Sequence, residues 1–189
     1  MRNFTTEHTV YNFEELTPEA QQKAIENNYE INVDYYWYYD EMLEDIAQEY
    51  GINLVWSDMC FDLDRGNYLY IDNHDHGRTG ETSGIEQNIT FLKRAGLDLR
   101  TKDARELLDN GITLATKHYG GGYGANYIET NYADISEKTD QMLQDTIDEL
   151  CNRLLSQLRQ DYEWRTSEEA IREALIENEY EFYEDGRMA

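Results

Sequence analysis

The sequence predicts an α+β protein, helix-dominated, with a small antiparallel sheet. Three observations predict it. Helix starts at Thr17-Pro18, Thr101, Asp134-Ile135-Ser136-Glu137 and Thr166-Ser167-Glu168-Glu169 precede stretches with helical apolar spacing, and Gly51 and Gly96 close two others. Short alternating runs flank turn residues, as at Arg65-Gly66-Asn67. The 16 Tyr, 5 Phe and 3 Trp give the chain the apolar surface that disordered acidic chains lack.

Residues 4–13 alternate weakly and predict a strand. Thr17 caps a helix that runs to about Tyr29, with Ala20, Ala24, Ile25 and Tyr29 inward. The next stretch, Asn32 to Gly51, organises the reading of function. At 100° per residue Tyr36, Tyr39, Leu43, Ile46, Ala47 and Tyr50 fall on one side of a helix. Asp34, Glu41 and Asp45 fall opposite, nearly in line, with Glu41 and Asp45 about 6 Å apart along the axis, the scale on which backbone phosphates repeat. An ordinary helix with a solvated face satisfies the same pattern.

Residues 52–63 and 68–72 predict a hairpin, and the polar run 73–84 a loop. Ile85, Ile89 and Leu92 mark a helix ending at Gly96. Ala104, Leu107 and Leu108 mark a short one stopped by Asn110-Gly111. Residues 112–118 alternate as a strand, and HYGGGYGANY (118–127) reads as a Gly-Tyr loop. A long helix follows from 134 to about Tyr162, with Leu143, Ile147, Leu150, Leu154 and Leu158 as its stripe and Asp145, Asp148 and Glu149 off it. The last helix reaches about Asn178, and 180–187 turns at Asp185-Gly186.

Forty acids against 16 bases give a net charge of −24. Nothing in a core requires that excess, which opposes folding through self-repulsion. It argues against direct binding to nucleic acid or an anionic membrane, and for a basic partner, cations or solubility. A single domain, 1–189, is expected, with acidic ends around a near-neutral centre. Residues 1–60 hold 13 acids and 2 bases, 134–189 hold 16 and 6, and 61–133 hold 11 and 8. Cys60 and Cys151 form no disulfide framework and fit a reducing compartment. No signal peptide or membrane span is evident, so the cytoplasm is the expected location.

Chemistry-bearing patterns are weak. Asp62, Asp64, Asp72, His74 and His76 would meet on a metal if the hairpin gathered them, but their spacing matches no metal signature and solvated loop residues explain them better. Gly120-Gly121-Gly122-Tyr123-Gly124 lacks the Gly-Lys-Ser/Thr ending of a phosphate loop. No nucleophile motif is present. No catalytic residue, cofactor or metal is therefore expected.

Three stretches, 11–46 (YNFEELTPEAQQKAIENNYEINVDYYWYYDEMLEDI), 61–71 (FDLDRGNYLYI) and 176–186 (IENEYEFYEDG), together resemble a group of acidic proteins common in bacteriophage genomes and other mobile elements. The resemblance implies a host-directed accessory protein in the bacterial cytoplasm. By analogy with small acidic phage proteins that block restriction or CRISPR nucleases, it implies an inhibitor of anti-CRISPR or antirestriction type.

Three functions are expected in order. The first is an acidic inhibitor that occupies a basic nucleic-acid-binding surface of a host defence nuclease, CRISPR-type favoured. Asp34, Glu41, Glu44, Asp45, Asp145, Asp148 and Glu149 would stand in for phosphates. The second is a non-mimic interaction protein, such as an adaptor, an antitoxin or a loop-mediated inhibitor, acting through Tyr119 and Tyr123. The third is a metal-dependent enzyme around Asp62, Asp64, His74 and His76. The sequence leaves oligomeric state open.

Overall fold

A computed structural model describes residues 8–33, 41–54, 76–81, 85–110, 113–119, 123–129 and 133–189, the strands at 76–81, 113–119 and 123–129 by their backbone. The fold is α+β and helix-dominated, and its strands form two small antiparallel sheets among the described residues. The chain divides into two compact units, 1–37 with 160–189, and 38–159. The sequence predicts a single domain, 1–189, with its charge concentrated in 1–60 and 134–189; compactness divides the chain at 37/38 and 159/160.

In the first unit, β1 (Tyr11–Asn12) pairs antiparallel with β6 (Glu181–Phe182), Tyr11 opposite Phe182. The strand expected over 4–13 is thus confined, among described residues, to these two positions. A 3-10 turn, Phe13–Glu15, leads into α1 (Pro18–Asn27), whose cap Thr17 accepts from the Ala20 N–H at 3.3 Å. The last helix, α6 (Glu168–Glu177), packs on α1. Phe13, Leu16, Ala20, Ala24, Ile25, Ile171, Leu175 and Phe182 form the core, with the Phe13 and Phe182 rings edge-to-face at 6.1 Å. Tyr29, expected inward, is 49% exposed, because α1 ends two residues before it. The Asn32 amide donates to the carbonyls of Arg165 and Ala170, both at 3.1 Å, fastening the N-terminal segment to the C-terminal one. Gly186 (φ +84°) lies so close to Ala20 that a Cβ would stand 2.2 Å from its carbonyl oxygen.

The second unit holds α2 (Glu41–Gln48), β2 (Asn53–Leu54), β3 (His76–Glu81), α3 (Ile85–Arg94), α4 (Lys102–Asn110), β4 (Thr113–Tyr119), β5 (Tyr123–Glu129) and most of α5 (Glu137–Arg165). Leu43, Ala47 and Tyr50 are buried as the periodicity predicts, and Gly51 (φ +72°) ends the helix. Tyr36, Tyr39 and Asp34 lie outside the described residues. On α3 the buried positions are Asn88, Phe91 and Leu92, while Ile85 is 60% exposed at the first turn.

The second sheet has the order β2-β3-β4-β5, all antiparallel. It corrects two expectations. The run 73–84, read as a loop, contains β3. Its Gly77 and Gly80 and a register shift between Arg78 and Gly80 erase the alternation that marks a strand, and pairing on both sides supplies the order instead. The supposed Gly-Tyr loop is largely β5, hairpin partner of β4 from Thr113↔Glu129 to Tyr119↔Tyr123. The glycines concealed the alternating Tyr123, Ala125 and Tyr127 beyond them. Of the hairpin expected over 52–72, only β2 is described, and it pairs with β3.

Both predicted capping boxes start later than expected. Ser136, not Asp134, caps α5, accepting from the Thr139 N–H at 3.4 Å, while Asp134 pairs with Lys102. Ser167, not Thr166, caps α6, since the Thr166 hydroxyl donates back to the Tyr162 carbonyl. Asp103 on α4 reaches the same end of α5 and accepts from the Ser136 hydroxyl (2.6 Å), the Thr139 hydroxyl (2.6 Å) and the Ser136 N–H (3.0 Å). These bonds, the Ser136 hydroxyl foremost, lower its pKa to about 2.

Two outcomes follow. Glu179 stands just past α6 in the left-handed region (φ 51°), where glycine is favoured. Glu179→Gly should raise stability by about 0.5–1 kcal/mol in chemical denaturation. An unchanged midpoint would show the backbone there is unstrained. Asp103, its pKa depressed on folding, contributes stability that is complete above about pH 4 and lost as pH falls through about 2. Asp103→Asn should therefore be less stable than the parent at pH 7, with the gap closing toward pH 2. A gap equal at both pH values would mean the charge contributes nothing.

Candidate anionic binding surface

The charge of each unit follows from its own residues. The first unit carries 17 acids and 5 bases over 67 residues, and the second 23 and 11 over 122, so each is net −12. The smaller unit has nearly twice the charge density, although all the described acids singled out from sequence lie in the larger one. Within the first unit, 8–33 packs against 160–189.

On α2, Glu41 and Asp45 are exposed and Glu44 half-buried. Its C-terminus is fixed by a buried tyrosine. The Tyr50 hydroxyl donates to Glu149 at 2.7 Å and accepts from Arg94 at 3.1 Å. Arg94 also pairs with Glu149 at 2.6 Å, and Arg153 with Glu49 at 2.6 Å. The Arg94 and Arg153 guanidiniums stand 4.5 and 5.5 Å from the Tyr50 ring centre. The Tyr50 hydroxyl, then Arg94, holds the Glu149 carboxyl below the usual carboxylate range, and Arg153 does the same for Glu49. Glu149, expected in the partner-facing row, is thus tied into this network. An off-stripe position on a helix cannot distinguish an acid with a distant arginine from one without.

Asp145 and Asp148 on α5 are exposed, and their carboxylates are held differently. Gln141, one turn earlier, donates to Asp145 at 2.7 Å, and Gln144 donates to Asp148 at 3.0 Å. The first unit repeats the arrangement on α1, where Gln22 donates to Glu26 at 3.3 Å. The same amide reaches Glu168 on α6 at 3.5 Å, so oxygens from two helices lie less than 7 Å apart around one nitrogen. A glutamine orients a carboxylate without cancelling its charge; a lysine or arginine would do both. Sequence reasoning missed Glu26 and Glu168, and the Gln-x-x-x-acid spacing was the signal available.

Tyr119 and Tyr123 are the final cross-strand pair of the β4–β5 hairpin. Asp62, Asp64, Asp72 and His74 lie outside the described residues, and His76 opens β3. Among the described residues no three His, Cys, Asp or Glu are grouped to hold a metal ion. No helix is long and apolar enough to cross a membrane, again among the described residues.

Glu149→Gln should lower stability by about 1 kcal/mol or less, about 2–4 °C in Tm, while partner binding stays as in the parent. Unchanged melting with weakened binding would place Glu149 at the partner surface. No family model, curated protein or solved structure matches this chain.

Proposed function

We propose that the chain is a binding protein, not an enzyme, whose exposed carboxylates occupy a cationic nucleic-acid-binding groove on another protein. In line with the phage-like resemblance, that partner is a host defence nuclease, CRISPR-type favoured, met in the bacterial cytoplasm. The observation that carries the proposal is the set of glutamine-held carboxylates, Glu26, Asp145 and Asp148, each exposed and each oriented by an uncharged amide. Oriented anions lose less side-chain freedom on docking than free ones, and they keep the full charge that attracts a Lys- and Arg-lined groove. Association should be fast and weakened by salt.

A second reading is favoured by one observation. Tyr119 and Tyr123 are partners on one rung at the hairpin end. Paired tyrosines there suit an interface that needs no mimicry, as in an adaptor, an antitoxin or a loop-mediated inhibitor.

A competition assay separates the two: displacement of labelled DNA from a basic nuclease across a salt series. The combined change Glu41→Gln, Asp45→Asn, Asp145→Asn, Asp148→Asn should weaken displacement about tenfold or more and flatten its salt dependence. Gln141→Lys with Gln144→Lys should act in the same direction with the acids intact. Displacement unaffected by either set, but abolished by Tyr119→Ala with Tyr123→Ala, would sink mimicry and favour the second reading.

A further inference from the structure

In the first unit, the segment entering β1 and the turn leaving β6 enclose an open cavity of about 590 Å³. That volume lies within the range of ligand-binding clefts. Its lining residues include His8, Tyr11, Tyr183, Glu184, Asp185 and Arg187. His8 meets Tyr183 edge-on, centroids 5.5 Å apart at 70°. The turn is fixed by its backbone: the Tyr183 N–H donates to the Arg187 carbonyl at 2.8 Å, and the Gly186 N–H to Tyr183 at 3.0 Å.

We infer that this cavity receives an arginine side chain of the basic partner, an inference that rests on the reading above and adds a specific socket to it. The chain's own Arg187 shows that the walls accept a guanidinium. Its Nε donates to Asp185 at 2.8 Å, and its guanidinium stands 5.6 Å from the Tyr183 ring centre. Yet the Arg187 and Asp185 side chains are 71% and 51% exposed, and an ion pair that open to water contributes little. Glu184 is exposed and carries no hydrogen bond or ion pair among the described residues.

An incoming arginine can thus take Glu184, stack on a tyrosine, or exchange with Arg187 for Asp185. The chemistry excludes the main competitors. A phosphate or carboxylate meets two carboxylates, and an apolar ligand must desolvate three charged groups. A lysine offers a point charge where a planar, two-pronged cation fits both ring and carboxylate.

The test uses the full chain and follows the ring protons of Tyr11, Tyr183 and His8 by NMR. N-acetyl-arginine amide, N-acetyl-lysine amide and inorganic phosphate are titrated separately. The arginine probe should give saturable shifts, the lysine probe much smaller ones, and phosphate none. Glu184→Gln, an exposed change, should weaken the arginine response. Arg187→Ala should strengthen it by up to about fivefold, because it removes an internal competitor whose pair is weak. Weakening by Arg187→Ala, ring shifts with phosphate, or a lysine response equal to that of arginine would each overturn the assignment.

Two results separate the socket from the function it serves. If arginine binds here but the chain displaces no DNA from a basic nuclease, the socket stands and the decoy falls. If DNA is displaced with undiminished strength after Glu184→Gln and no arginine shifts appear, the socket falls and the decoy stands.

Discussion

The closure of the chain on itself by β1 and β6 is the constraint on which the acidic first unit depends. Two antiparallel rungs are far too few to hold on their own. They hold because Phe182 of the pair and Phe13, which follows β1, meet edge-to-face inside a core that draws on both ends of the sequence. That closure brings together segments of net −5 (1–37) and −7 (160–189), which repel. Magnitude decides the contest. Burial of each large apolar side chain contributes about 1.5–3 kcal/mol, and the core gathers Phe13, Leu16, Ile25, Ile171, Leu175 and Phe182. Most of the described acids of these segments are exposed, where their repulsion is screened within about 8–10 Å.

The placement of the bases explains why the excess of acid survives folding. In the second unit, Arg94 and Arg153 converge on one buried tyrosine and bind Glu149 and Glu49 there. In the first, Arg165 pairs with Asp161 and the Asn32 carbonyl, Arg172 lies over the Phe13 ring, and Arg187 turns to Asp185. Each of these bases serves a local tie. The described carboxylates of α1 and α6, and Asp145 and Asp148 on α5, are exposed.

The sequence was legible where the deciding interactions are local. Thr17 and Thr101 cap the helices they were expected to cap, Gly51 and Gly96 end theirs, and Ala20, Ala24, Ile25, Leu43, Ala47 and Tyr50 are buried as the periodicity predicts. It was illegible where partners are distant. The β4–β5 hairpin was hidden by glycines, and β3 was recruited by neighbours and not by its own pattern. The hydroxyl of Tyr50 finds Arg94 and Glu149 at separations of 44 and 99 residues, which no local spacing encodes. Asp148 and Glu149 show the limit most sharply. They are consecutive, both exposed and both off the apolar stripe, yet one faces a glutamine on its own helix and the other an arginine on α3.

That contrast bears on how a folded protein can imitate a phosphate backbone. A nucleic-acid strand presents charges at fixed spacing, whereas a surface carboxylate on a free side chain samples several rotamers and must surrender that freedom on docking. Pairing it with arginine orients the carboxylate but offsets its charge with a neighbouring cation, as at Glu49 and Glu149. Pairing it with a glutamine one turn earlier fixes the rotamer and leaves the charge. At about 0.2–0.5 kcal/mol each, such pairs add little to stability. At Glu26, Asp145 and Asp148 their effect is therefore chiefly on the orientation of the anions, the feature on which the proposed function draws.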